Sequence, residues 1–415
     1  MRKSIKYLLT FVITVIICVF SFILITLIPK DLIKDNMLSS ADEMYNLPAF
    51  RYFNSYQNGS TLIHNYPDPI TFNLTYSLNP RKPVSSMFLT KYYSTNKYIE
   101  SVNLREKAIH DYDANKEYYR YWHGNIVMVK LLLLIFDYKE ILIFLAVVLT
   151  VLAVLITYQL FKRDKFLGII FFISNILVQV YVTFCCLEYI YMFLLSYILA
   201  LISFKFINAK EENIYCLFIV GGVLANFFDF LTTETLVLML PFLIIYYFRY
   251  KDKKVDKSTF IFFIKSALAF LLSYSLMWIL KWLILAIFFK QSPASFLNDH
   301  LVERGINENT FKLGFFDSII INLRQLIPFC FFADIVVIIV SIIYILFLIY
   351  NFIRRKFGLY EFILVCISLV PIVRFLVMFM HSYDHYFFTY RALLPSIMIF
   401  FIILKIWICN FKKNK

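Results

Sequence analysis

The chain has 415 residues, of which 61% are hydrophobic and 16% charged, and its formal net charge is +14. Apolar stretches of roughly 18 or more residues recur along it, which excludes a water-soluble globular protein and points to an all-α polytopic membrane protein, a single membrane domain over 1–415. Only 8 glycines are present where average usage of ~7% would give about 30, so little material is available for the broken helices on which many transporters build their sites.

The first apolar span runs from Ile5 to Ile28. Arg2, Lys3 and Lys6 give it the basic start of a signal peptide, but its apolar core is longer than a signal h-region and no small-residue cleavage site follows, so it is expected to stay as an uncleaved anchor. A largely polar loop, 29–125, comes next. Near its start, the segment A-D-E-M-Y-N-L-P-A-F-R-Y-F is expected to begin a short helix with Asp42 near the N-terminal turn, where free backbone N–H groups favour a carboxylate. Asp42 and Glu43 are there either a cap with a solvated acid or a general base that takes a proton from a sugar or lipid hydroxyl.

From Glu100 to Tyr121 the loop reads as a polar helix, and Gly124 breaks it. The string Glu117-Tyr118-Tyr119-Arg120-Tyr121-Trp122-His123-Gly124 has two readings. It is either an aromatic belt at headgroup depth with Arg120 snorkelling, or a set in which Glu117, Arg120 and His123 meet a lipid phosphate or sugar. The apolar run that follows, 126–136, is about 16 Å long at ~1.5 Å per residue. That is too short for a ~30 Å hydrocarbon core, so the run is expected to lie in the interface or to re-enter.

Nine further spans are expected: Glu140 to Phe161, Phe166 to Phe184, Tyr189 to Phe206, Ile214 to Phe230, Thr235 to Phe248, Thr259 to Phe289, Asp334 to Ile353, Leu359 to Met380 and Ala392 to Cys409. With the N-terminus cytoplasmic, the inner connections carry Lys162, Arg163 and Lys165, then Lys205 and Lys210, then Arg249 to Lys257, then Arg354 to Lys356, and finally Lys412, Lys413 and Lys415. The outer turns near Glu188 and Glu234 carry no Lys or Arg, in keeping with the positive-inside rule. Both termini are thus expected on the cytoplasmic side of a cell membrane, with the large loop outside. The positive charge is a topology signal directed at anionic lipid, with no nucleic acid as partner. All six histidines fall on the outer side, together with a second polar segment, 290–332. The seven cysteines lie in or beside spans and show neither a disulfide framework nor zinc spacing.

Three outer sites carry further candidates. Asp229 sits at the edge of an apolar helix, where an ionisable group is costly unless partnered or wet. Asn226, Asp229, Thr232 and Thr233 there line a polar pocket or form a plain helix end. The second outer segment, with Asn298, Asp299, His300, Glu303 and Arg304, reads as a solvated lid with an amphipathic helix over 311–332. In His381 to Arg391, H-S-Y-D-H-Y-F-F-T-Y-R, the spacing of His381, Asp384 and His385 weakly matches a metal site, and Arg391 suits a phosphate. Arg374, within the ninth span, is expected to pair with an acid or to face a wet cavity.

One span, a long outer loop with an Asp-Glu pair soon after the membrane, an interfacial segment before the second span and about ten spans in all resemble the GT-C superfamily of integral-membrane glycosyltransferases. The strings Y-Y-R-Y-W-H-G and H-S-Y-D-H-Y-F-F-T-Y-R are similar to those of uncharacterised GT-C-like membrane proteins of low-GC Gram-positive bacteria. No large C-terminal soluble domain and no WWD-type string is present, unlike the oligosaccharyltransferase branch. The resemblance implies an inverting transfer on the outer face. A polyprenyl-phosphate-linked sugar would be the donor and a cell-envelope glycan or lipid the acceptor. Asp42 or Glu43 would act as base, Arg391 and Arg120 would hold the donor phosphate, and no metal is required. The alternatives are a transporter or flippase of a lipid-linked sugar, for which Arg374 and Lys281 inside spans speak, and a non-catalytic envelope-assembly protein. Against the transporter stand the lack of an internal repeat of spans and the shortage of glycine.

Overall fold

The computed structural model describes residues 2–45, 47–52, 62–95, 97, 99–229, 231–292, 313–328, 330 and 332–413. It is helical throughout apart from two short antiparallel ribbons. Helix α1 (Arg2–Leu27) leads into the first loop, which holds α2 (Lys34–Tyr45), α3 (Pro67–Tyr76), α4 (Pro83–Phe88) and α5 (Glu100–His110). Strand β1 (Phe50–Tyr52) pairs with β2 (Leu62–His64), and β3 (Lys91–Tyr92) with β4 (Lys116–Glu117). The short α6 (Asn125–Leu132) packs on α1 and α3 before the long α7 (Tyr138–Arg163). Then follow α8 (Lys165–Leu177), α9 (Leu187–Phe206), α10 (Glu211–Phe228), α11 (Thr235–Tyr250) and α12 (Lys257–Phe289). After them come α13 (Asp317–Leu323), α14 (Ala333–Ile353), α15 (Leu359–Val377), α16 (Phe379–Asp384), α17 (Tyr386–Thr389) and α18 (Leu394–Lys413).

Among the described residues, 8 helices are long and apolar enough to cross a membrane, and α8 and α11 are apolar but shorter. Each of the ten apolar segments expected from hydropathy overlaps one of these helices, but the segment expected over Phe166 to Phe184 is α-helical only to Leu177 and continues as a 3-10 turn, Val180–Cys185. Their ends are set by local chemistry. Asp137 and Glu140 close a capping box at the start of α7, and the Asp256 carboxylate accepts from Ser258 N and Thr259 N at the start of α12. Helix α9 is the hub, with 78% of its apolar window buried, whereas α14 at the rim has 6% buried and leaves its isoleucines for lipid.

Side-chain contacts sort the helix ends into two faces. On one, Lys3 pairs with Glu212 at 2.6 Å, and Asp164, between α7 and α8, accepts from Tyr247 Oη at 2.7 Å and lies 3.4 Å from Lys405 Nζ. On the other, the first loop covers the starts of α7 and α9, and the end of α15 meets the α10–α11 turn.

Three local expectations are corrected. Helix α2 begins at Lys34, so Asp42 lies in its second half and not in the first turn; Met37, Ala41 and Met44, at helical spacing, bury its inner face and fix this register. The polar stretch from Glu100 stops at His110, because Asp111 adopts a left-handed conformation (φ 54) and takes Lys107 Nζ at 3.1 Å. The chain then extends to pair β4 with β3. Third, the amphipathic helix expected over 311–332 is, among the described residues, α-helical only over Asp317–Leu323, followed by a 3-10 turn at Arg324–Leu326, and α13 turns its polar face inward. Ser318 and Asn322 are buried, donating to Phe375 O at 3.1 Å and Ser382 O at 2.8 Å, and Thr389 Oγ1 donates to Asn322 Oδ1 at 2.6 Å. Beside lipid, polar atoms find partners only within the protein, so the usual orientation reverses. Asn298, Asp299, His300, Glu303 and Arg304 lie outside the described residues.

Candidate functional site

A pocket of about 200 Å3 opens on the loop-bearing face between the first loop, the start of α9 and the α16–α17 turn. Its chemistry comes from His64, Glu188, Arg120, His381 and His385, with Tyr118 and Tyr121 among the walls. The volume is below the ~300–1,000 Å3 of drug-sized sites, so the pocket suits a small group.

Each polar wall is held by the fold. Glu188 stands in the first turn of α9, buried, with Oε2 3.2 Å from His64 Nδ1. That histidine is the last residue of β2, and its ring stacks between Phe50 at 4.7 Å and Tyr66 at 5.9 Å. Its backbone N–H donates to the Tyr189 hydroxyl at 3.1 Å. The α9 terminus itself is anchored by Asp68, which is fully buried and accepts from Leu187 N at 2.9 Å, Glu188 N at 3.3 Å and Tyr138 Oη at 2.9 Å. Two of the orphan N–H groups of α9 are thereby satisfied by a residue far away in sequence. Burial pushes the Asp68 carboxyl up to about 6, against the pull of these donors.

In the same pocket, His381 on α16 and His385, the residue between α16 and α17, have ring centroids 4.6 Å apart. The sequence expectation for Arg374 is met by a buried network behind them. Its Nε donates to Glu234 Oε1 at 2.8 Å, Nη1 to Ser382 Oγ at 2.8 Å and Nη2 to Leu231 O at 2.5 Å, with His381 Nδ1 3.3 Å away. A charge at the edge of the apolar layer is in this way both neutralised and hydrogen-bonded.

Of the residues singled out in the sequence, the pocket brings together Arg120, His381 and His385. Arg120 lies over the rings of Tyr118 and Tyr121 at 5.6 and 5.2 Å. Glu117 and His123 lie elsewhere. Glu117 is exposed on β4 and pairs with Lys91 at 2.9 Å, a bond that lowers its pKa. His123 is buried with Nε2 2.5 Å from Tyr118 O, and burial holds it well below the usual imidazole range.

The rest of this string is a dock. Trp122 Nε1 donates to Met277 O at 3.0 Å, Lys281 Nζ donates to Tyr121 O, and Gly124 N donates to Phe227 O at 2.8 Å. A Cβ at Gly124 would lie 2.3 Å from the Phe227 ring, so glycine is required there for close approach. Asp229 is buried outside the pocket, where its Oδ1 accepts from Thr232 N at 2.9 Å and Thr232 Oγ1 at 2.7 Å, a local turn of the Asx type. Asp42 is exposed and pairs with Arg105 at 2.6 Å; Glu43 accepts from Lys139 N at 3.0 Å, and burial raises its carboxyl. Neither lines the pocket.

Arg391 is fully buried behind the pocket, with its guanidinium 4.8 Å from the rings of both Tyr189 and Tyr390. Its Nη1 donates to Phe387 O at 2.7 Å, but among the described residues Nε and Nη2 have no hydrogen-bond partner and no carboxylate pairs with it. Tyr181, whose hydroxyl feels the Arg391 charge, lines a separate cleft of about 480 Å3 walled by Ile176, Leu177, Leu326, Ile327 and Pro328. Tyr189 links the two regions, since its ring stacks on Arg391 and its hydroxyl accepts from His64 N. Among the described residues no group of three His, Cys, Asp or Glu side chains is close enough to hold a metal, so the His381, Asp384 and His385 spacing is not completed by geometry.

His64, Asp68 and Glu188 were not singled out from sequence as a set. Glu188 carried a usable signal, an acid at the mouth of an apolar helix, the same signal that drew attention to Asp229. Comparison with known proteins adds no name: no family model, no curated protein and no solved structure matches the chain.

Proposed function

We propose that the chain is an inverting glycosyltransferase that takes a sugar from a polyprenyl-phosphate donor and passes it to a hydroxyl of a cell-envelope glycan or lipid. In this reading the ten apolar helices all cross a bacterial cell membrane, the first loop is outside and both termini are cytoplasmic. The observation that carries it is Arg391. A buried guanidinium without a counter-ion is costly, and an incoming phosphate would relieve that cost with charge-assisted hydrogen bonds. Of the cavities near this arginine, the apolar cleft lined by Tyr181 suits the lipid chain, and the pocket lined by Glu188 suits the sugar.

Glu188 is the base this arrangement favours, oriented by His64. It takes the proton of the acceptor hydroxyl as the new C–O bond forms at the anomeric carbon. The phosphate leaves with the electron pair of the broken bond, and its charge is held by Arg391. The resemblance to GT-C enzymes favours Asp42 or Glu43 instead, and one experiment separates the two. Purified protein in lipid vesicles is supplied with polyprenyl-phosphate glucose, mannose or galactose, and sugar release or transfer is followed. Glu188→Gln should lower turnover about 10²–10⁴-fold, the usual worth of a general base, while Asp42→Asn and Glu43→Gln stay near wild type. The reverse ranking moves the base back to α2. Wild-type protein that turns over none of these donors would sink the transferase reading.

A further inference from the structure

On the face opposite the pocket, α1, α10 and α12 leave a cleft of about 580 Å3. Its mouth carries Lys3, Glu211, Glu212 and Lys265, and its walls include Phe11, Ile219, Leu268, Ala269, Leu272 and Leu276. The shape follows from one contact. A Cβ at Gly222 would lie 2.2 Å from Ser273 Oγ, so α10 and α12 touch backbone to backbone at that level. The cleft lies beside and below this contact, toward the N-terminal ends of both helices.

Its dimensions match one leaflet of a bilayer. From Lys265 to Leu276 the cleft follows α12 for about 16 Å at ~1.5 Å per residue, roughly half of a ~30 Å hydrocarbon core. Charges are confined to the end where the interface would be. There Lys3 and Glu212 neutralise each other at 2.6 Å, and Glu211 accepts from Tyr215 Oη at 2.9 Å. Lys265 is exposed and, among the described residues, makes no ion pair. Snorkelling alone would account for a lysine two turns inside an apolar helix, but not for an apolar cleft directly beneath it.

We propose that this cleft binds a glycerophospholipid of the leaflet on the N-terminal face, with one acyl chain along α12 and the phosphate at Lys265. The site is separate from the transferase pocket and does not depend on that activity. The test is native mass spectrometry of protein extracted from membranes, followed by incubation with phosphatidylglycerol vesicles. Wild type should retain one phospholipid per chain. Ala269→Trp and Leu272→Trp each place a ring in the cleft and should reduce retention at least about tenfold, and Lys265→Glu should reduce it less. Gel filtration and thermal midpoint show whether each variant is folded. Undiminished retention in both folded tryptophan variants, or none in wild type after incubation, overturns the site. Lipid lost in the tryptophan variants but fully kept in Lys265→Glu overturns the phosphate contact. A failed sugar-transfer assay leaves all these outcomes unchanged.

Discussion

Asp42 and Glu188 are acids on the same face of the molecule, and water surrounds one while protein surrounds the other. Asp42 projects from α2 into solvent with an exposed arginine as its partner. Glu188 is buried against a histidine whose ring is clamped between two aromatic rings. An exposed ion pair is worth about 0–1 kcal/mol and forms and breaks freely. A buried carboxylate that lines a cavity persists only when its surroundings hold it, and that pre-set geometry is what proton transfer requires. Proximity to the membrane in sequence therefore says less about reactivity than the desolvation of the final position.

Three substitutions bear on this contrast. The largest effect is expected at the buried network that backs the pocket. Arg374→Met leaves Glu234 buried and unpaired and should cost about 3–5 kcal/mol, read as a large drop in thermal midpoint in detergent. Adding Glu234→Gln to Arg374→Met should recover much of the loss, and a double variant as unstable as the single one would show that the pair is not the cause. A smaller loss, about 1–3 kcal/mol, is expected for Gly124→Ala, whose methyl meets the Phe227 ring and carbonyl. Restoring room with Phe227→Leu should offset part of it, and an unchanged midpoint for Gly124→Ala would refute the close approach. The smallest effect belongs to α2. Asp42→Asn should shift stability by less than about 1 kcal/mol and lose even that in high salt. A shift several times larger would put Asp42 in the class of Glu188.

Much of the architecture was legible because it is written in runs. Ten apolar segments, the short apolar run after Gly124 and the need of Arg374 for an acid all follow from what hydrocarbon does to polar groups. The site was less legible. His64 and Glu188 are 124 residues apart and meet only because β2 is laid against the start of α9. Helix α2 carries too little apolar material to stand out by hydropathy, and α13 turns its polar side inward, so the periodicity that marks its solvent face elsewhere marks its buried face here. Arg120, His381 and His385 were found because the two strings that hold them are dense in residues that are costly to leave beside lipid. His123 and Glu117 belong to the string of Arg120 and point elsewhere, because the positive φ of His123 and the β3–β4 pairing turn successive side chains in different directions.

The Asp68 contact also constrains the order of assembly. Its carboxylate caps the start of a helix that begins 119 residues later, beyond the long apolar α7 and the shorter α8. As the chain is synthesised, the first loop is complete well before α9 exists. Until then Asp68 has no backbone N–H to accept from, and the start of α9, once formed, has no cap. The pocket is therefore a late product of chain assembly: it closes only when α7 and α8 have packed and the N-terminal end of α9 reaches the waiting loop.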